Sequence, residues 1–102
     1  MKSLSQIRRQ LSLGQFEFSR HAFKRAVERN ISASEIEEAG TLAEMIEDYP
    51  DDKYSPSCLL LGFTQGGRAL HIQVSYADND LVRIITLYEP DETEWYNRFL
   101  RR

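Results

Sequence analysis

His21, Arg25 and Arg29 recur at intervals of four residues behind Ser19, whose hydroxyl suits the start of a helix. On a helix that spacing sets an imidazole and two guanidinium groups on one stripe. An imidazole exchanges a proton near neutral pH. Guanidinium groups grip phosphate through paired donors and stabilise the added charge of a pentacovalent phosphoryl transition state. The chemistry this stripe suits is therefore phosphate handling. The competing account pairs Arg25 and Arg29 with Glu28, Glu35 or Glu38 on a solvated helix surface.

The second histidine, His71, lies in a run from Arg68 to Tyr76 that alternates in polarity, with Leu70, Ile72 and Val74 on one side and His71, Gln73 and Ser75 on the other. The run from Leu81 to Tyr88 adds Arg83, Thr86 and Tyr88. A strand-borne arginine neutralises phosphate, and a tyrosine stacks on a base or shares a proton. In a regular strand Arg83 and Tyr88 cannot both face the His71 side. Thr86 and Tyr88 are preferred there, because Ile85 and Leu87 then join the core. Ordinary alternation at a half-exposed sheet is the competing account of Gln73 and Ser75.

The elements that must position these groups follow from local signals. Leu4, Ile7 and Leu11 have helical spacing behind Ser3 or Ser5, with Gly14 as the stop. Phe16 to Phe18 reads as a short extended link. The helix after Ser19 runs to about Asn30, with Ala22, Phe23, Ala26 and Val27 as its apolar side. Ser32 and Glu35 form a capping box for a third helix that Gly40 should end. From residue 43 the period becomes two, and Pro50 closes a first strand. Cys58 to Thr64 is a second strand, joined through Gln65-Gly66-Gly67 to the third, and Leu81 to Tyr88 is the fourth. Asp91 to Leu100 has acids first and arginines last, with Trp95 and Phe99 four apart, so a C-terminal helix is predicted. The expected architecture is one α+β domain over 1–102, with N-terminal helices on one face of a four-stranded antiparallel sheet, plus that last helix. The other face should be open to solvent or ligand.

With 102 residues, 41% of them hydrophobic, the chain has enough for a single core without disulfides. Cys58, the lone cysteine, reads as a buried thiol in a reducing cytoplasm. No run is long and apolar enough for a signal peptide or a membrane span, so a cytoplasmic protein with no membrane partner is expected. The net charge of −3 divides into +5 over residues 1–31, −7 over 32–55 and −1 over 56–102. That suits a site for one anion better than a long electrostatic track, and no DNA partner is expected. Two distant histidines and one cysteine form no metal-ligand spacing, and no glycine-rich phosphate loop is present, so neither metal nor cofactor is expected.

Ser19-x-His21-Ala22-x-x-Arg25-x-x-x-Arg29-x-Ile31-Ser32, then Leu59 to Gly62, Arg68-x-Leu70-His71 and Ile85-Thr86-x-Tyr88-x-Pro90, occur in this order. On them the sequence resembles domain-of-unknown-function family 4258 over about residues 16–96. That family is similar in layout to RelE-like small ribonuclease toxins, in which helices pack behind an antiparallel sheet whose exposed face cuts RNA without metal. The resemblance directs attention to His21, Arg25, His71, Thr86 and Tyr88. It implies a metal-independent endoribonuclease toxin of a toxin–antitoxin pair, with RNA as substrate and a cognate antitoxin as protein partner. The resemblance assigns no roles; the leading reading of the residues makes His21 or His71 the general base or acid, has Arg25 stabilise phosphate charge and Tyr88 position a base or assist proton transfer, and lets Arg29, Gln73, Arg83 and Thr86 bind substrate. The alternative is a non-catalytic interaction module that docks an acidic partner on the basic helix face and a basic one on the acidic 35–52 segment.

Overall fold

Three serines start the three helices. In the computed structural model, which describes residues 1–98 and 100–101, Ser3 caps α1 (Leu4–Ser12), Ser19 caps α2 (Arg20–Glu28) and Ser32 caps α3 (Ala33–Thr41). Each hydroxyl accepts the backbone N–H three residues on, and at Ser3 and Ser32 the side chains of Gln6 and Glu35 return the bond to complete capping boxes. Gly14 (φ +73°) and Asn30 (φ +53°) take the left-handed conformation just past α1 and α2, as helix-stop residues do.

Gly40 does not end α3, which runs on to Thr41. Its role is spacing, because a Cβ there would lie 2.4 Å from Leu11 Cβ where α1 and α3 meet. Gly62 does the same between α3 and the sheet.

The strands are β1 (Phe16–Phe18), β2 (Glu44–Tyr49), β3 (Ser57–Phe63), β4 (Ala69–Ser75), β5 (Val82–Tyr88), β6 (Trp95–Tyr96) and β7 (Leu100–Arg101). The first five form one sheet in the order β1-β5-β4-β3-β2, antiparallel except for the parallel pair β1 and β5. A four-stranded antiparallel sheet is therefore corrected to a five-stranded mixed one. Phe16 to Phe18, too short to show a strand period of its own, becomes a strand because β5 offers it a ladder, with Val82 N–H donating to the Gln15 carbonyl and Ser19 N–H to that of Ile84.

The C-terminal helix is corrected as well. Asp91 starts a single turn, accepting from the Glu94 and Trp95 backbones, but Asn97 and Arg98 have φ of +47° and +73°, which no helix continues through. The chain folds instead into the two-stranded pair β6 and β7. Charge order favours a helix by a few tenths of a kcal/mol per residue, and burial of Trp95 against the sheet outweighs it. Of the expected Trp95–Phe99 pair, Phe99 lies outside the described residues.

Helices cover one sheet face. Ile7 and Leu11 of α1, Ala22 and Ala26 of α2, and Ile36 and Ala39 of α3 form one core with Cys58 and Leu60 of β3, Leu70, Ile72 and Val74 of β4, and Val82, Ile84 and Leu87 of β5. Burial pushes the Cys58 thiol up to about 12, with the nearby Asp48 charge adding to the effect. Iodoacetamide at mildly alkaline pH is therefore expected to leave the native protein unlabelled and to label it after denaturation, as read by intact mass.

One end of the helix layer is tied to the sheet by Arg68. Its guanidinium donates to Glu35 at 3.0 Å, to Glu89 at 2.8 Å and to the carbonyls of Arg29 and Asn30. The Ser32 backbone N–H and then Arg68 hold the Glu35 carboxyl below the usual glutamate range. A lowered folded value gives stability that is present at neutral pH and lost as pH falls through it. The stability gap between wild type and Glu35→Gln, measured by urea unfolding, should be widest near neutrality and close in acid.

Candidate active site on the open sheet face

The register of β5 decides which groups share a face. Gln73 pairs with Thr86 but Val74 pairs with Ile84, so Ile85 is an extra residue, a β-bulge. The bulge reverses the alternation. Val82, Ile84 and Leu87 all point into the helix-side core, although Ile84 and Leu87 are an odd number of residues apart. Arg83 on one side of the bulge, and Thr86 and Tyr88 on the other, therefore share the opposite face with His71 and Gln73. The parity rule that separated Arg83 from Tyr88 holds only for an unbulged strand. Two isoleucines in succession, Ile84-Ile85, between outward-facing polar residues were the available signal.

One end of this face is covered. His71 is fully buried, and its ring meets the Trp95 ring edge-on at 4.4 Å and the Tyr88 ring at 5.3 Å. Leu59, Leu61 and Trp95 are buried here, outside the helix-side core. His71 Nε2 bonds the Arg98 carbonyl, and Nδ1 lies 3.3 Å from the Tyr88 hydroxyl. A carbonyl only accepts, so Nε2 carries the hydrogen, and in the neutral ring Nδ1 is then the acceptor toward which Tyr88 O–H points. A base oriented by a third group is the arrangement that activates a hydroxyl.

The other end is open. A groove of about 500 Å³ runs between Arg83 and Ile85 of β5, Ser75 of β4, Ser19, and the loop residues Asp52, Tyr54 and Ser55. The Arg83 guanidinium lies half-exposed, 3.3 Å from Glu17. Gln73 donates to Ser57 Oγ, which donates to Asp52, and Ser55 and Ser75 share a 2.6 Å hydrogen bond. Tyr54 is 87% exposed. The sequence reading did not single out Asp52, Tyr54 and Ser55, since a Pro-Asp-Asp stretch reads only as a turn.

The α2 stripe lies elsewhere. His21 and Arg29 are exposed, and Arg25 donates to Glu28 at 3.2 Å. α2 packs on the core face and His71 on the reverse, so the sheet separates the two histidines. A mechanism passing protons between His21 and His71 is not available in this fold. Phe23 and Val27 also leave the expected apolar side, since Ala22 and Ala26 alone are buried. Among the described residues no three His, Cys, Asp or Glu side chains are grouped to hold a metal ion, and no helix is long and apolar enough to cross a membrane.

Fold and site together define a small α+β domain with a helical layer on one sheet face and a polar, arginine-bearing groove on the other. The chain belongs to the family described as Domain of unknown function (DUF4258), whose model matches residues 18–89. The match takes in α2, α3 and β2 to β5 and leaves out α1 and the β6–β7 pair. No curated protein and no solved structure matches the chain.

Proposed function

We propose that this chain is a metal-independent endoribonuclease of the toxin type, working on the open sheet face. The observation that carries the reading is the bulge at Ile85, through which His71, Gln73, Arg83, Thr86 and Tyr88 share that face. Tyr88 is the proton-transfer group, backed by His71, which the Arg98 carbonyl orients. Arg83 holds a phosphate, Gln73 and Thr86 contact the backbone beside it, and Tyr54 offers a ring on which a base stacks.

In the reaction His71 Nδ1 takes the Tyr88 proton as Tyr88 takes that of the ribose 2′-hydroxyl. The 2′-oxygen bonds to phosphorus, the bond from phosphorus to the 5′-oxygen breaks, the leaving oxygen takes a proton from water, and the hydroxide so formed takes up the proton that His71 gives back through Tyr88. A 2′,3′-cyclic phosphate results. His21, Arg25 and Arg29 have no part in this step, because they stand on the helix layer.

Purified protein incubated with single-stranded RNA in chelator is expected to release fragments ending in cyclic phosphate. RNA left intact would overturn the reading. A small DNA-binding protein encoded next to this chain, forming a complex that suppresses the cleavage, would support the toxin role and supply the antitoxin partner.

A further inference from the structure

α2 carries more apolar surface than the sheet beneath it uses. Ala22 and Ala26 are buried, while Phe23 and Val27, also one turn apart, are 60% and 65% exposed. Most of the stabilisation that burying two such side chains would bring is unrealised here. The Phe23 ring meets that of Phe18 edge-on at 6.2 Å, and Phe18, Phe23 and Val27 line a groove of about 350 Å³ with Asn30 and Ile31.

The border of this ridge is charged. Arg20 and Lys24 stand one turn apart on the adjoining stripe, both exposed. Lys24 reaches Glu28 only at 3.9 Å, and among the described residues no carboxylate pairs with Arg20. A neighbouring apolar surface with carboxylates at its margin would bury the ridge and neutralise these cations together. β1 beside it is a sheet edge, but three residues with Glu17 at the centre discourage strand addition.

We propose that the Phe18–Phe23–Val27 ridge docks an amphipathic helix of a partner polypeptide, with the partner's apolar face on these side chains and its flanking carboxylates opposite Arg20 and Lys24. The ridge belongs to the helix layer, so this inference stands apart from the chemistry on the open face.

The test uses the full chain and a synthetic helical peptide with leucines at i, i+3, i+4 and i+7 bordered by glutamates, beside the same peptide bordered by lysines. By fluorescence anisotropy the glutamate peptide is expected to bind about tenfold tighter or more. Phe23→Asp should abolish binding, and Arg20→Glu with Lys24→Glu should reverse the preference. All three positions are exposed, so thermal unfolding of the variants should match wild type, and RNA cleavage by them should be unchanged. Equal binding of both peptides, or binding that survives Phe23→Asp, would overturn the proposal. So would sedimentation showing a dimer that Phe23→Asp dissolves, since the ridge would then belong to a second copy of this chain.

Discussion

Tyr88→Phe is expected to lower RNA cleavage by about two to four orders of magnitude, the range over which a positioned proton-transfer group acts. The substitution keeps the ring that lies edge-on to His71 and removes only the hydroxyl that lies 3.3 Å from Nδ1. Stability should fall by about 1–3 kcal/mol, the cost of leaving the buried Nδ1 of His71 without this partner. RNA affinity should stay near wild type, because the phosphate contact belongs to Arg83, at the far side of the bulge. Arg83→Ala should give the complementary result, weaker RNA binding with a shallower salt dependence than wild type, so that the gap between the two narrows as salt rises. Single-turnover cleavage and filter binding, measured on both variants, separate the two roles. A Tyr88→Phe enzyme that cuts RNA at the wild-type rate would remove the Tyr88 hydroxyl, and the proton relay from it to His71, from the mechanism.

The second large effect is on folding. Gly62→Ala should destabilise the protein by about 3 kcal/mol, the upper part of the range for overpacking, against a total stability of about 5–15 kcal/mol for domains in general. A Cβ on Gly62 would stand 2.0 Å from the Ala39 carbonyl oxygen and 2.7 Å from its carbon, both backbone atoms of α3 that no rotamer change can move. The helix would have to lift from β3, opening the contact with Ile36 and Ala39. Gly66→Ala is the control, since the nearest atom to its Cβ would be Thr64 Oγ1 at 3.8 Å. Urea midpoints should show a large loss for the first variant and little change for the second.

Both expectations rest on features that differ in how readable they were. The hairpin turn at Gly66 and the backbone N–H groups that Ser19 and Ser32 cap are local, and residues within four positions of one another specify them. Gly62 was visible as a glycine inside a strand pattern, but the carbonyl it makes room for is twenty-three residues earlier in the chain. The face carrying Tyr88 was readable only up to Ile85. Alternation correctly set His71 beside Gln73 and Thr86 beside Tyr88, yet it placed Arg83 on the wrong side, because a bulge is a property of two strands in register and not of one.

The residues that carry the family resemblance divide in the same way. Ser19 caps α2 and also donates its hydroxyl to the Ile85 carbonyl at the bulge, 2.9 Å away. Ala22, Ile31 and Leu70 fill the core, and Arg68 clamps two helix ends to the strands. These are positions that the fold itself requires. His21, Arg25 and Arg29 have no comparable structural task, which is why the most chemically suggestive stripe in the sequence lies on a surface the proposed reaction does not use.

Local signals alone set the starts of α2 and α3, narrowed that of α1 to Ser3 or Ser5, and gave the approximate limits of β2 to β5, the turn between β3 and β4, and the membership of His71, Gln73 and Ser75 in one side of a strand. Those are consequences of capping, side-chain periodicity and turn chemistry, and all act over a few residues. Long-range contacts alone made Phe16 to Phe18 a strand, packed Trp95 and the Arg98 carbonyl against His71 in place of a helix, brought Arg83 to the face of Tyr88, and put the sheet between His21 and His71. Each of these depends on which distant backbone supplies hydrogen bonds and on which side chain fills the space left beside it. In a sheet whose alternation reverses with one extra residue, that long-range register determines which chemical groups share a face.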